Sequence, residues 1–166
     1  MSVPAHEIII VPENGQDGRI QLRQLCYDVR IDVFISEQGF PLEAEIDDLD
    51  ETATHFLLRL VPSLTPIGTI RGYKGKNAPY YKLNRLAVLK DYRNFRFGRA
   101  LVLALHDWVR ADALKRGERD FVEIVCHSQI PVKGFYVRLG YEAQGEEFDE
   151  DGAPHQKMVA QLPLLQ

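Results

Sequence analysis

Apolar residues recur at helical spacing in two long stretches of the 166-residue chain. The first covers residues 20–41, and the second covers residues 97–116 and is followed by Gly117. Apolar positions that repeat every three to four residues indicate amphipathic helices with one buried face. The pattern predicts a helix or helix pair in the first stretch and the longest helix of the protein in the second.

Short runs rich in β-branched and aromatic residues, bounded by Pro, Gly or Asn, predict strands between and after these helices. The runs occupy residues 7–12, 56–61, 67–73, 81–89, 121–126 and 158–162, with a further strand from Tyr141 onward and a short helix over 131–139. The second and third runs suit an antiparallel hairpin, and a strand-helix-strand crossover follows later. This order predicts a mixed α/β fold (α+β) with a mostly antiparallel sheet flanked by helices.

Composition and charge narrow the class of protein. The chain is 45% hydrophobic and 27% charged with a formal net charge of -4, which is typical of one globular domain over residues 1–166. The negative charge and the lack of a basic block argue against a nucleic-acid partner. No signal peptide or membrane span is expected, so we expect a cytoplasmic protein. Cys26 and Cys126 lie in apolar runs and are expected to be buried thiols.

An acidic segment over residues 42–51 follows the first helical stretch. It is expected to be a loop whose carboxylates, represented by Glu45, Asp47 and Asp50, attract and bind a cationic substrate. The alternative is a solvated, negatively charged loop without a partner.

The junction between the strand at 81–89 and the longest helix is a basic loop with Gly98 at the helix entry. The first backbone N–H groups of a helix lack intrahelical partners and the helix dipole is positive there, so such a junction can hold an anion. Arg93, Arg96 and Arg99 could add charge-assisted bonds to phosphates. An ordinary loop with solvated arginines is the alternative.

The run RLAVLKDYRNFRFGRALV resembles the pyrophosphate loop of the GNAT superfamily of acetyl-CoA-dependent N-acetyltransferases. Arg93 takes the Gln/Arg position and Gly98 the last Gly/Ala position, whereas Arg96 stands where the first glycine is usual. The segments VFISEQ, SQIPVKGFYVRLGY and EEFDEDGAPHQKM resemble the ElaA-like branch of that superfamily. The resemblance therefore extends from about Arg30 to Met158.

The resemblance implies the GNAT fold, with a sheet splayed between strands four and five, and direct transfer of acetyl from CoA to an amine. Backbone groups of Leu86, Ala87 and Val88 would pair with the cofactor arm and stabilise the oxyanion. The cofactor set implied by the resemblance also includes Arg93, Asn94, Arg96, Phe97, Gly98, Arg99, Ala100, His127 and Gln129. No metal is expected.

Tyr136 matches the tyrosine that in many relatives protonates the departing thiolate, so it is the expected general acid. Its alternative role is that of a packed aromatic residue in the core. Strand four carries no carboxylate that could serve as the base. Glu123, on a strand expected to be buried, and His155, an imidazole of the branch motif, are the two candidates, and each could instead be structural.

These features predict an N-acetyltransferase that uses acetyl-CoA and a small, cationic primary amine, with a homodimer left open as the assembly. Peptide or protein N-acetylation is a second enzymatic hypothesis. A non-catalytic acetyl-CoA sensor is a third, because the strand-four carboxylate is missing and Arg96 replaces a glycine.

Overall fold

The computed structural model describes residues 2–165. Its strands form one seven-stranded sheet in the order β1-β2-β3-β4-β5-β7-β6, with β1 at His6–Ile10 and β2 at Thr54–Leu60. The remaining strands are β3 (Pro66–Lys74), β4 (Tyr80–Val88), β5 (Phe121–Gln129), β6 (Glu142–Glu150) and β7 (Ala153–Pro163). The β4–β5 pair is parallel, and the β1–β2, β2–β3, β5–β7 and β6–β7 pairs are antiparallel. The predicted mixed, mostly antiparallel sheet with flanking helices is confirmed.

Contacts divide the described chain into two compact units. Unit 1 holds residues 2–72 and Arg85–Leu105, and unit 2 holds Tyr73–Asn84 and residues 106–165. A single domain over 1–166 therefore stays a prediction.

Unit 1 contains the first helical stretch, which differs from the prediction in its second half. Helix α1 runs from Arg19 to Arg30 and continues as a π-helical segment, Ile31–Glu37. Val29 and Val33, one on each side of that change, pack against Ala87 near the end of β4. The apolar spacing predicted the buried face except at Ile20, which is 71% exposed at the start of α1. The change of hydrogen-bond pattern at Ile31 has no signal in that spacing.

The acidic segment in unit 1 is not the loop that the sequence predicted. It forms a short helix α2, Leu42–Glu45, and a 3₁₀ turn, Asp48–Glu51. The Asp47 carboxylate accepts from the Leu49 amide at 3.1 Å, and the Asp50 carboxylate accepts from the Asp47 amide at 2.9 Å. These two caps give backbone N–H groups a hydrogen-bond partner within the protein. The acidic composition alone suggests instead that the segment is in solvent.

Unit 2 contains the second half of the longest helix, α3, which spans Phe97–Lys115 in full agreement with its predicted period. The parallel β4–β5 ladder joins Tyr80–Lys82 to Glu123–Val125, and β4 continues beyond it to Val88. The Tyr81 hydroxyl donates to Asp112 of α3 at 2.5 Å, and its ring meets Trp108 edge to face. These contacts attach α3 to the strands of unit 2.

The last helix, α4, is shorter than predicted. It covers Lys133–Val137 after a 3₁₀ turn, Ile130–Val132, and it lies against β5 and β7. Pro131 stands at the start of that turn, where its missing N–H costs nothing.

Both cysteines are buried as predicted, and burial raises the pKa of the Cys26 thiol to about 11 and that of Cys126 to about 12.

Candidate active site

The strand-to-helix junction in unit 1 has the geometry of an anion site. A 3₁₀ turn, Lys90–Phe95, is followed by Arg96 at φ 60° and ψ 30°, and α3 begins at Phe97. The Arg96 carbonyl accepts the first helical bond, from the Ala100 amide at 3.1 Å. The left-handed conformation at Arg96 is one that glycine adopts at little cost. Arg96 therefore has the backbone conformation that the usual glycine would adopt at this position.

Arg93, the expected phosphate ligand, already has a partner in unit 1. Its two Nη atoms each donate to the Glu37 carboxylate at 2.6 Å, and its Nε donates to the Val88 carbonyl at 2.9 Å. The hydrogen bond from Arg93 holds the pKa of Glu37 below its usual range, although both side chains are partly exposed. Arg96 and Arg99 are exposed at the same helix terminus. Sequence reasoning assigned no role to Glu37.

The end of β4 carries the backbone that the sequence assigned to the cofactor arm. Ala87 and Val88 are buried, Leu86 is partly buried, and Arg85 just before them has φ 54°. The Arg85 guanidinium donates to the carbonyls of Glu45 at 3.2 Å and Ala44 at 3.1 Å. A left-handed residue within a strand bends it as a bulge does, and the side-chain bonds hold that bend.

Two of the three carboxylates assigned to substrate lie inside unit 1. Arg30 donates to Glu45 at 2.8 Å and to Asp50 at 2.7 Å, and Arg71 donates to Asp50 at 2.8 Å. Burial alone would raise the pKa of Asp50, but the bonds and charge of the two arginines hold it well below its usual range. Asp47 differs, because its side chain is 35% exposed and binds Arg71 and Arg85 from the surface.

An open cavity of about 670 Å³ lies beside this cluster in unit 1. Its wall is formed by the 14–18 turn, the start of α1 and the acidic segment. Asp47 and Asp50 both line it, together with three exposed carboxylates, Asp17, Asp48 and Glu51, which outnumber the two arginines of the lining, Arg19 and Arg23. The cavity therefore presents negative charge to solvent.

Tyr136, the expected general acid, lies on α4 in unit 2 and is 7% exposed. Burial raises the pKa of its hydroxyl far above the usual range, and the nearby Cys126 thiol adds to that rise. Its ring meets Phe135 at 5.0 Å and Tyr141 at 5.5 Å between centroids, both edge to face. The hydroxyl is therefore protonated at any working pH, as a proton donor must be.

The end of β5 brings three of the predicted residues together in unit 2. His155 of β7 lies directly across from Gln129, and His127 lies two residues earlier on β5. Glu150, which sequence reasoning did not single out, lies between the imidazoles, with carboxylate oxygens 2.9 Å from His127 Nδ1 and 3.7 Å from His155 Nε2. A carboxylate in the branch motif, five residues before its histidine, was the available signal for this residue.

Glu123, the other candidate base, is remote from that group along β5. It lies opposite Tyr80 on β4 and Gln161 on β7. It is half-buried, not buried as the sequence predicted. Within residues 2–165 there is no group of three or more His, Cys, Asp or Glu side chains placed to hold a metal ion. No helix in that range is long and apolar enough to cross a membrane.

Comparisons with known proteins agree with this geometry. The model of a family described as an acetyltransferase (GNAT) domain matches residues 28–162. A Bacillus subtilis protein with a provisional acetyltransferase name is 34% identical over 143 residues, which covers 82% of this chain and 87% of that protein.

Solved structures show the same fold at lower identity. An acyl-CoA N-acyltransferase from Pseudomonas aeruginosa matches with a TM-score of 0.79 at 18% identity, over 94% of this chain and 99% of its own. Escherichia coli ElaA matches with a TM-score of 0.72 at 19% identity, over 93% and 99%. The chain belongs to the GNAT acetyltransferase family, as its motifs predicted. It is an acyltransferase of GNAT type, and this family uses acetyl-CoA as cosubstrate.

Proposed function

We propose that the protein transfers acetyl from acetyl-CoA to the primary amine of a small, cationic metabolite, as a cytoplasmic enzyme that acts as a monomer or homodimer. The observation that carries the proposal is the left-handed Arg96 at the entry of α3. An arginine that keeps a glycine-like backbone leaves the helix N-terminus open for a pyrophosphate, which the helix dipole and free N–H groups stabilise.

The cofactor is assigned to unit 1. Its pyrophosphate meets the backbone N–H groups of Phe97, Gly98 and Arg99, with Asn94 and Arg96 at the rim. The Ala100 amide lies behind them, because it donates to the Arg96 carbonyl. Arg93 supports the loop through its bond to the Val88 carbonyl. The backbone of Leu86, Ala87 and Val88 pairs with the pantetheine arm and donates an N–H to the acetyl oxygen.

Tyr136 is assigned as the acid that protonates the thiolate of CoA. Its raised pKa keeps the hydroxyl protonated until a strong base appears beside it. The ordinary pKa of a free thiol is about 8.5, below that of the tyrosine, so the proton transfer depends on desolvation, which raises the proton affinity of the thiolate as well. Gln129 is the remaining partner of the arm at the end of β5, and His127 lies beside it on the same strand.

The acidic cavity supports a cationic acceptor. Glu45 and Asp50 are engaged by Arg30 and Arg71 and therefore act as supports, whereas the exposed Asp47 is the assigned contact for a second ammonium group. Several carboxylates around one opening attract a polyamine or an amino sugar more strongly than a neutral amine. No observation favours a peptide acceptor to the same degree.

Calorimetric titration with acetyl-CoA, followed by a thiol-release assay with a panel of amines, tests the proposal. Gly98→Glu should weaken acetyl-CoA binding at least tenfold, because it places a side chain and a negative charge at the helix terminus. Ala111→Glu adds the same charge to an exposed position of α3 and should bind as the wild type does.

Each outcome separates the candidate functions. Release of CoA only with small diamines or amino sugars supports the cationic acceptor. Turnover only with peptides would replace it with peptide N-acetylation. Binding without turnover on any amine would replace the enzyme with an acetyl-CoA sensor, and equal binding by the Gly98→Glu variant would refute the loop assignment.

A further inference from the structure

The imidazole at the end of β5 and the carboxylate at the end of β6 form a pair in unit 2. His127 Nδ1 lies 2.9 Å from Glu150 Oε1, and the two side chains are 33% and 41% exposed. We propose that His127 is the general base that deprotonates the acceptor ammonium and that Glu150 is its positioning residue. This inference rests on the proposed function and names the residue that the missing strand-four carboxylate left unassigned.

The pairing decides which ring nitrogen is basic. An ionised carboxylate accepts hydrogen bonds and cannot donate them, so Nδ1 of His127 must carry the proton in the bond to Glu150. In the neutral ring, Nε2 then holds the lone pair. The carboxylate also stabilises the imidazolium that forms when Nε2 takes a proton, as the aspartate of a catalytic triad does.

Accessibility favours His127 over His155. The His155 side chain is 7% exposed, and its Nδ1 bonds to the Ala153 carbonyl at 2.8 Å. It also stacks on Phe148, whose ring meets His127 edge to face at 5.0 Å. The buried His155 and the half-buried Phe148 thus fix the position of the pair, whereas His127 reaches solvent and an incoming amine.

Two lysines share the face of His127. Lys157 lies directly across from His127 on β7, and Lys82 of β4 lies across from Val125, the neighbour of His127 on that face. Burial lowers the pKa of Lys82, and the charge of Lys157 lowers it further, whereas Glu150 raises it. His127 therefore has two ammonium groups on its face of the sheet in addition to its Glu150 partner.

The proton and electron balance of the step is complete with acetyl-CoA and an alkylammonium ion. His127 Nε2 takes one ammonium proton, and the freed nitrogen lone pair forms a C–N bond to the acetyl carbon. The C–S bond then breaks with its electron pair on sulfur, which takes a proton, while the nitrogen loses its second proton. The products are the acetamide, free CoA and one proton that His127 returns to water.

Rates and acetyl-CoA affinities measured between pH 6 and pH 10 test the role. His127→Asn should lower kcat about 100-fold at pH 7 with an unchanged Kd for acetyl-CoA, and the loss should shrink above the pKa of the amine. Glu150→Gln should lower kcat about tenfold and change the pH profile. Glu146→Gln, which alters an exposed carboxylate of the same strand, should leave both unchanged.

Nitrogen-15 NMR of the wild-type imidazoles gives a readout that needs no substrate. A His127 ring in the Nδ1–H form supports the pair, and the Nε2–H form overturns it. Full activity of the His127→Asn variant, or a larger loss in His155→Asn, would overturn the base role alone. If the wild type turns over no amine, both the proposed function and the base role fail.

Discussion

The two units bury polar groups in different ways. Unit 1 buries charges, since Arg30 and Arg71 meet Asp50 with all three side chains at most 3% exposed. Unit 2 buries neutral groups, such as His106, whose Nε2 lies 2.8 Å from the Tyr141 hydroxyl. A buried ion pair is expensive to break, whereas a buried neutral pair is sensitive to protonation.

This difference matches the roles assigned to the units. The charged cluster of unit 1 extends through Asp47 and Glu45 to Arg85, so it holds the bend in β4 next to the assigned cofactor backbone. The proton donor and the proposed base lie in unit 2, where Tyr136 packs on Tyr141 and Glu150 binds His127. Buried ion pairs hold the backbone of unit 1, whereas unit 2 holds the groups assigned to proton transfer.

The largest expected effect is in the charged cluster. Asp50→Asn leaves the buried Arg30 and Arg71 guanidinium groups short of a carboxylate, so urea unfolding should show a loss of about 3–5 kcal/mol. Glu7→Gln breaks the more exposed pair with Arg59 in the same unit and should cost less than about 1 kcal/mol. Equal losses would mean that burial does not distinguish the pairs.

The second effect is the pH dependence of stability. Burial lowers the pKa of His106 to about 4, so below about pH 6.5 the unfolded chain binds a proton that the folded protein does not. Stability should therefore fall between pH 6.5 and pH 4. His106→Gln should make that fall about 3 kcal/mol smaller in denaturant titrations at pH 7 and pH 4.

A matched variant in unit 1 sharpens this result. Burial also lowers the pKa of His55 to about 4, and its Nε2 lies 2.9 Å from the Asp50 carbonyl. His55→Gln should remove a similar share of the pH dependence. A fall in stability that persists in both variants would locate the titrating groups elsewhere.

The third effect concerns the proton donor of unit 2. Tyr136→Phe should keep the Kd for acetyl-CoA and lower kcat about 100-fold, because the departing thiolate then lacks its acid. Tyr80→Phe removes a half-buried hydroxyl of the same unit and serves as the control. An unchanged kcat in the Tyr136 variant would assign that residue to packing.

The smallest effect concerns the exposed ion pair of unit 1. Glu37→Gln removes the negative charge beside Arg93, so acetyl-CoA should bind about threefold more tightly at low ionic strength, with little difference at high salt. Glu43→Gln changes an exposed carboxylate of the same unit and should have no effect. Weaker binding by the Glu37 variant would show that the pair orders the loop.

Local patterns in the sequence were sufficient to predict much of the fold. The helical period of residues 97–116 predicted α3, and alternating or continuous apolar runs predicted the strands. Both signals are local, because residues that share a helix face or a strand face lie only two to four positions apart in the sequence. Several motifs in the right order also predicted the GNAT family. The Arg93 to Gly98 loop was recognised even though Arg96 departs from the usual glycine.

Pairings between residues distant in sequence were decided by the tertiary structure. The acidic composition of residues 42–51 suggested a solvated loop or a substrate contact. Inside unit 1, however, Arg30 binds both Glu45 and Asp50, and Arg71 binds Asp50. Likewise, Glu150 became a candidate only once it lay 2.9 Å from His127, 23 residues earlier. Sequence determines which groups are ionisable, but their partners, burial and proton affinity depend on which chain segments the fold brings together.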